Sequence, residues 1–247
     1  MTDDSTLTRV TGRVALLDVA RTIALIGMAI YHLVFDLMLF GYLEPGTAVT
    51  GGWAIFSRVV ASSFLILVGV SLYLAHGPGI RWRAFLRRLV QVSGAAALIS
   101  VATWFALGQQ WIFFGILHSI AVSSLVGLVV LRWPAAVLLG LSAVIFMLPR
   151  LGRFDAFGHP WLSWLGLGTT PVHAADFLPM FPWFAPVLLG IAVAKIATSL
   201  NLWGPLSRPS GPVIQRLGWP GRHSLIIYLI HQPILIAIIW TVTQAIR

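Results

Sequence analysis

The chain has 247 residues, of which 58% are hydrophobic and only 9% are charged, and its formal net charge is +9. Because soluble domains carry about 25% charged residues, this composition excludes an ordinary soluble protein and predicts an all-α, polytopic protein embedded in a lipid bilayer. The sequence contains no cysteine, which excludes a thiolate nucleophile, a cysteine-ligated metal and a disulfide framework.

Apolar segments long enough to cross a bilayer occur along the whole sequence. A spanning helix needs about 20 mainly apolar residues. About seven candidate spans are predicted, at residues 15–40, 53–75, 88–107, 111–131, 133–149, 181–200 and 222–245. The sequence shows neither an internal repeat nor a second soluble domain, so residues 1–247 are expected to form a single transmembrane domain.

Basic residues in the connections between spans set the expected orientation. The connection HGPGIRWRAFLRR, residues 76–88, carries Arg81, Arg83, Arg87 and Arg88, and such clusters favour the cytoplasmic side. Counting spans from this connection predicts a cytoplasmic N-terminus and a C-terminus on the opposite side. Membrane topology therefore accounts for the positive charge, and no nucleic-acid partner is indicated.

The first candidate span carries four ionisable side chains, Asp18, Arg21, His32 and Asp36. At about 100° per residue, all four fall within one arc of roughly 60° on a helix whose remaining surface is apolar. Charged groups inside a span usually face the bundle interior and mark a functional path. Two structural explanations stay open, since Asp18 and Arg21 can pair three residues apart and a neutral His32 can bond across helices.

Three more polar residues lie in or beside later spans. Arg58, near the outer end of the second span, either extends to the interface or faces the same cavity as His32. His118, in FFGILHSIAVSS, fits either a packing histidine or a site residue. Asp176 lies just before the sixth span, in DFLPMFPWFAPVLLG. It ends a long non-cytoplasmic connection, residues 150–180, which is expected to form an ordered lid at the membrane interface.

The last span opens with GRHSLIIYLIHQPI and carries a second polar strip. Ser224, Tyr228 and His231 fall within about 60° of one another on a helix, and Pro233 is expected to kink it. The basic residues at its start either meet a phosphate or anchor the helix at the cytoplasmic surface. The candidate ligand-binding residues here are Arg222, His223, Ser224, Tyr228, His231 and Gln232. The seven histidines never recur at metal-ligand spacing, so no metal site is predicted.

Four motifs in order resemble a known family. LDVAR, followed by His32, is similar to the first-helix signature LDxxRG of membrane acyltransferases, with Thr22 in place of the usual glycine. FFGILHSIAV, DFLPMFPWF-x-PVLLG and GRHSLIIYLIHQP resemble motifs of bacterial proteins related to the catalytic domain of heparan-α-glucosaminide N-acetyltransferase. The resemblance covers residues 10 to 240. The lysosomal enzyme has a lumenal portion that is absent here, so its heparan substrate is not carried over.

The resemblance implies a bacterial inner-membrane acyltransferase that moves an acetyl group from cytoplasmic acetyl-CoA to an extracytoplasmic acceptor. The expected acceptor is a sugar or cell-envelope glycan, and the oligomeric state stays open, with a homo-oligomer among the alternatives. His32 is expected near the chemistry, as a general base or as the carrier of an acetyl-histidine intermediate. The other expected catalytic residues are Asp36, His118 and Asp176. The expected CoA contacts include Arg13, Asp18, Arg21, Arg58, Arg81, Arg83 and Arg222.

Two other classes of function stay open from the sequence. Chains of intramembrane Asp, Arg and His residues also serve proton-coupled small-solute transporters, and proline-broken spans are typical of transporter sites. A non-catalytic scaffold for a cell-envelope complex is the third hypothesis. Substitution of His32 distinguishes them, because only an enzyme should keep its fold and CoA binding while losing turnover.

Overall fold

The structure is a computed structural model and describes residues 14–206 and 211–246. Within these ranges the chain forms ten α-helices and no β-strand. The helices are α1 (Ala15–Leu39), α2 (Gly51–His76), α3 (Trp82–Leu107), α4 (Ile116–Val130), α5 (Ala135–Leu151), α6 (Met180–Ser199), α7 (Trp203–Leu206), α8 (Pro212–Leu217), α9 (Trp219–Arg222) and α10 (Ser224–Ile246). The predicted all-α fold is thereby confirmed.

Five of these helices are long and apolar enough to cross a membrane, namely α1, α2, α3, α6 and α10. The helices α4 and α5 are apolar but have only 15 and 17 residues. At 1.5 Å per residue they extend about 22 Å and about 25 Å, against a hydrocarbon core of about 30 Å. The polytopic bundle is therefore confirmed, whereas the predicted number of seven spans is not.

The distribution of side chains on α1 is the reverse of that on a helix of a soluble protein. Asp18 and Asp36 are buried, with 4% and 0% of their surface exposed. Ile23, Ile26 and Ile30 are exposed on the same helix. Because exposed isoleucine faces are stable in lipid and costly in water, this arrangement and the long apolar helices identify a multi-pass membrane protein.

The chain divides into two compact units. Among the described residues, we call Val14 with residues 65–206 the α6 unit, and residues 15–64 with residues 211–246 the α1–α10 unit. The first contains the second half of α2 and the helices α3 to α7, and the second contains α1, the first half of α2 and α8 to α10. The expectation of a single domain over residues 1–247 stays a prediction.

The core of the α6 unit lies where α2 crosses α6. Leu65, Val187, Leu188 and Ile191 are fully buried there. A Cβ added at Gly69 would overlap the Val187 carbonyl oxygen, and one added at Gly190 would overlap the Ile66 carbonyl oxygen. The two helices therefore approach to backbone contact through glycine, as small residues permit in membrane bundles.

The α1–α10 unit is built around α1, which packs against α10 and against the short helices α8 and α9. Thr22 joins these elements near the start of α1. Its hydroxyl donates to the Leu217 carbonyl at 2.8 Å and accepts from the Gly221 N–H at 2.9 Å. A Cβ at Gly221 would overlap the Asp18 carbonyl oxygen, so the segment before α10 lies directly on the backbone of α1.

Candidate active site

Two histidines meet between α1 and α10. His32 Nδ1 lies 3.0 Å from His231 Nε2, within hydrogen-bond distance, and the two ring centroids are 4.8 Å apart. His231 Nδ1 lies 2.6 Å from the backbone carbonyl of Tyr228, one turn earlier on α10. Both imidazoles are partly buried. The polar strips predicted on the first and last spans thus contribute one histidine each to a common pair.

A second polar pair lies beside the first. Gln232 Nε2 donates to Asp36 Oδ1 at 2.7 Å. Asp36 is fully buried, and neither its Oδ2 nor the Gln232 Oε1 has a hydrogen-bond partner among the described residues. Since Asp36 follows His32 by one helical turn and Gln232 follows His231 directly, the two hydrogen bonds together fix the register of α10 on α1.

At the opposite end of α1, Asp18 and Arg21 form an ion pair with a separation of 2.7 Å. The short helix α9, which precedes α10, lies beside them, because a Cβ at Gly221 would be 3.1 Å from the Cβ of Arg21. Arg222 ends α9 and His223 follows it, and both are exposed. Three basic residues therefore lie at this end of the α1–α10 unit, where Arg222 donates to the Gln215 carbonyl at 2.9 Å and His223 Nδ1 lies 3.0 Å from the Trp219 carbonyl. Arg13 lies outside the described residues.

Most of the other predicted ligand contacts also belong to the α1–α10 unit. Ser224 begins α10 and is partly buried. Tyr228 contributes its carbonyl to His231, and its ring centroid lies 5.6 Å from that of His231. Arg58 is exposed on α2. Arg81 and Arg83 are exposed at the start of α3, in the α6 unit.

His118 and Asp176 belong to the α6 unit, where both hold the N-terminus of α4. Asp176 Oδ2 accepts from the Ile116 N–H at 3.1 Å. His118 Nδ1 accepts from the Gly115 N–H at 3.3 Å, which leaves its Nε2–H to donate to Ser100 Oγ at 3.2 Å. Burial raises the pKa of Asp176 to about 6, although the hydrogen bond from Ile116 opposes this shift. These contacts give both residues a structural role, and a catalytic role for either stays a prediction.

Sequence reasoning missed Lys195, the single lysine of the chain. Its Nζ donates to the Leu131 carbonyl at 3.1 Å and lies 5.1 Å from the centroid of the Tyr73 ring. A cation at the C-terminal end of a helix is favoured by the helix dipole, so Lys195 caps α4. The signal in the sequence was a lone cation within an apolar segment.

The absence of a metal site stays a prediction. No group of three or more His, Cys, Asp or Glu residues within residues 14–206 and 211–246 is arranged to hold a metal ion. The two imidazoles bond to each other, and Asp36 bonds to Gln232. The arrangement is suited to holding and moving a proton at His32.

A comparison with known families identifies the family of the chain. The family model described as "Heparan-alpha-glucosaminide N-acetyltransferase, catalytic" matches residues 13–233, a range that contains both histidines of the pair. No curated protein and no solved structure matches the chain significantly. Since the match extends over most of the sequence, the chain belongs to the heparan-alpha-glucosaminide N-acetyltransferase catalytic-domain family and is a transmembrane acyltransferase.

Proposed function

We propose that the protein is an acetyl-CoA-dependent acetyltransferase of the bacterial inner membrane, with a sugar or cell-envelope glycan as its extracytoplasmic acceptor. In the reaction, an acceptor hydroxyl or amine attacks the thioester carbonyl, the acetyl–sulfur bond breaks, and CoA leaves as its thiol. The observation that carries the proposal is His32 held by His231 on the buried strip of α1, in a chain of this family.

His32 is the proposed general base. It would take the proton from the acceptor as the new acyl bond forms, a contribution typically worth about 10²–10⁴-fold in rate. Asp36 lies one turn along the same face of α1. Its carboxylate would stabilise the positive charge that develops on the His32 imidazole. Transfer through an acetyl-histidine on His32 uses the same nitrogen and is the second route open to this site.

The donor end of the site is proposed at the basic group formed by Arg21, Arg222 and His223. CoA carries several phosphate groups, and arginine guanidinium groups bind phosphates through two parallel hydrogen bonds. Arg222 and His223 are exposed, so both are accessible to a ligand from the cytoplasmic side that the basic connections predict.

The first experiment measures the unfolding midpoint of the purified protein in detergent with acetyl-CoA, CoA and desulfo-CoA. A ligand that binds only the folded state stabilises it by about 2.7 kcal/mol at 100 times its Kd. We expect acetyl-CoA to raise the midpoint in the wild type and in Arg150→Ala, and to raise it less in Arg222→Ala. Arg150 is a suitable control because it is an exposed arginine at the end of α5 in the α6 unit. No shift with any CoA species would contradict the proposal.

A second experiment tests the base. We expect His32→Gln to lower acetyl transfer by about 10²–10⁴-fold while the stabilisation by acetyl-CoA stays within error of the wild type. The measurement is transfer of radiolabelled acetyl groups to envelope extract by protein in proteoliposomes. A variant with undiminished transfer would remove His32 from the chemistry.

A proton-coupled transporter remains the competing proposal because of one observation. Asp36 is fully buried, and its Oδ2 has no hydrogen-bond partner in the part of the chain that the structure describes. Buried intramembrane carboxyl groups often carry protons in transporters. Uptake of protons into proteoliposomes without any CoA thioester would favour this function over acetyl transfer.

A further inference from the structure

We propose that His231 is a positioning residue that fixes His32 in the tautomer with a protonated Nδ1 and a free Nε2. The reaction that this tautomer serves rests on the proposed function, whereas the tautomer itself follows from the hydrogen bonds of the pair. The assignment differs from the ligand-binding role that the sequence indicates for His231.

The first step starts from the Tyr228 carbonyl. A backbone carbonyl can only accept a hydrogen bond, and His231 Nδ1 lies 2.6 Å from it. His231 Nδ1 must therefore carry a proton and donate it. Because the carbonyl belongs to the same helix, three residues earlier, it is held in place by α10 itself, and a side-chain substitution cannot remove it.

The second step concerns the hydrogen bond between His231 on α10 and His32 on α1. A neutral imidazole has one N–H and one lone pair, so a protonated Nδ1 leaves His231 Nε2 as an acceptor. His32 Nδ1 lies 3.0 Å from that acceptor and must supply the proton of the bond. His32 Nε2 is then left with its lone pair.

The neutral state of the pair follows from its surroundings. The spans α1 and α10 are apolar on most of their surface, and a charge that leaves water for such surroundings is costly unless it is paired. Among the described residues, the carboxyl group of Asp36 hydrogen-bonds to the Gln232 side chain and to neither imidazole. A cationic His231 would therefore lack an anionic partner in the pair.

The free Nε2 is the atom that either chemical route needs. As a base, it accepts the acceptor's proton, and the resulting positive charge on His32 is stabilised through its Nδ1–H bond to His231. As a nucleophile, it forms the bond to the acetyl carbon, the acetyl–sulfur bond breaks, and CoA leaves as its thiolate. The acceptor then attacks the acetyl carbon, the bond to Nε2 breaks, and the acceptor's proton passes to the thiolate. His231 and the Tyr228 carbonyl thus do for His32 what a buried carboxylate does in a serine protease triad, and the resting pair carries no net charge.

The test compares His231→Gln with His231→Leu in full-length protein reconstituted in nanodiscs. The amide oxygen of glutamine can accept the His32 Nδ1–H, whereas leucine offers no acceptor and leaves the His32 ring with only the Met28 carbonyl of its own helix. An unchanged tautomer in His231→Leu would assign the constraint to the Met28 carbonyl and overturn the inference. Histidine labelled with ¹⁵N reports the tautomer, because protonated and unprotonated imidazole nitrogens have well-separated chemical shifts. Spectra are recorded at mildly alkaline pH, where ordinary imidazoles are neutral. His32→Gln assigns the His32 signals by their disappearance, and His173→Gln, at an exposed loop position, is the control.

We expect Nδ1–H with an unprotonated Nε2 at His32 in the wild type and in His231→Gln, and a shift toward Nε2–H in His231→Leu. Acetyl transfer should fall by about 10²–10³-fold in kcat in His231→Leu, with little change in KM for acetyl-CoA, and should recover in large part in His231→Gln. An Nε2–H tautomer in the wild type, or equal loss in the two variants, would overturn the inference. If the wild type shows the expected tautomer but never transfers acetyl groups, the proposed function fails and the tautomer assignment stands.

Discussion

Thr22 shows how one side chain can join three elements of a membrane protein. Its buried hydroxyl links α1 to the Leu217 carbonyl and to the Gly221 N–H. In the family signature this position usually holds glycine, and the sequence alone indicated only altered packing. The structure gives the hydroxyl a definite partner set, which leads to the first residue-scale prediction.

Replacing Thr22 by valine keeps the shape of the side chain and leaves buried backbone groups without a partner. Such a loss costs about 1–3 kcal/mol, so we expect Thr22→Val to lower the unfolding midpoint clearly. The matched control is Thr241→Val, since the Thr241 hydroxyl is exposed and bonds only to the Ala237 carbonyl of its own helix. Equal midpoints for the two variants would show that the Thr22 hydroxyl contributes no net stability.

Asp176 makes the stability depend on pH. Burial raises its pKa from the ordinary 3.8 to about 6, so the folded protein holds this proton more tightly than the unfolded chain does. The stabilising contribution is complete below about pH 3.8 and is lost as the pH rises through about 6. Asp176→Asn cannot ionise but can still accept from the Ile116 N–H. We expect the wild-type unfolding midpoint, followed by tryptophan fluorescence, to fall relative to that of the variant over this range. Parallel profiles would contradict the shift.

At the residue scale, the sequence predicts which polar side chains lie in apolar helices but not which of them contact one another. The charged strip on α1 is visible from the spacing of Asp18, Arg21, His32 and Asp36. The bond from His32 to His231 depends on the register of two helices that are far apart in the chain, and a one-turn slide would pair other residues. In the sequence, His118 and Asp176 look like site residues because they are polar groups in apolar surroundings. Only the structure reveals the backbone groups that they cap.

At the scale of the helices, glycine lets α2 and α6 approach to backbone contact. Alanine at Gly190 would drive a methyl group into the backbone of α2 at Ile66, and backbone cannot yield as a flexible side chain does. We expect Gly190→Ala to destabilise the folded protein by about 1–3 kcal/mol, as overpacking does in a core. Gly94→Ala on α3 has no neighbouring atom within 4 Å and should be neutral or slightly stabilising. Similar unfolding midpoints would show that α2 and α6 separate at little cost.

The helix boundaries follow the apolar segments of the sequence, except where a connecting segment hydrogen-bonds to the residues before a helix. The sequence predicts a span over residues 111–131, whereas α4 begins at Ile116. The residues before it bond to the long connection, through Ala175 N–H to the Gln110 carbonyl and Leu178 N–H to the Phe114 carbonyl. Hydropathy alone cannot anticipate these bonds, because aromatic residues such as Trp111 and Phe113 are equally apolar inside and outside a helix.

For the whole molecule, the predicted orientation does not depend on whether α4 and α5 span the membrane. Counting both of them or neither of them gives an odd number of spans, since five other helices qualify. In either case the two ends of the described chain are expected on opposite sides of the membrane. The basic connections, rather than the exact number of spans, therefore decide the topology.

This topology can be tested on a background without cysteine. We expect Gly79→Cys, between α2 and α3, to react with a membrane-impermeant maleimide only after cells are permeabilised. Trp161→Cys, in the long connection before α6, should react in intact cells. Both positions are exposed, so access to the reagent depends on the side of the membrane. The reverse pattern would invert the predicted orientation and place the basic group of Arg21 and Arg222 away from cytoplasmic CoA.

The pairing of His32 with His231 also has a consequence for how the protein is made, since the two residues are separated by 199 positions in the chain. During synthesis α1 enters the bilayer long before α10 leaves the ribosome, and its Asp36 then lacks the Gln232 amide. Asp36 lies near the end of α1 (Ala15–Leu39), where an unpaired carboxyl group costs less on insertion than the penalty of about 2.5–3.5 kcal/mol at a span centre. The remaining cost disfavours free diffusion of nascent α1 into lipid, so α1 is expected to stay beside the translocon or a chaperone until α10 arrives. A message cut short before α10 would yield a chain without the histidine pair, marked for quality-control proteolysis by its exposed polar strip.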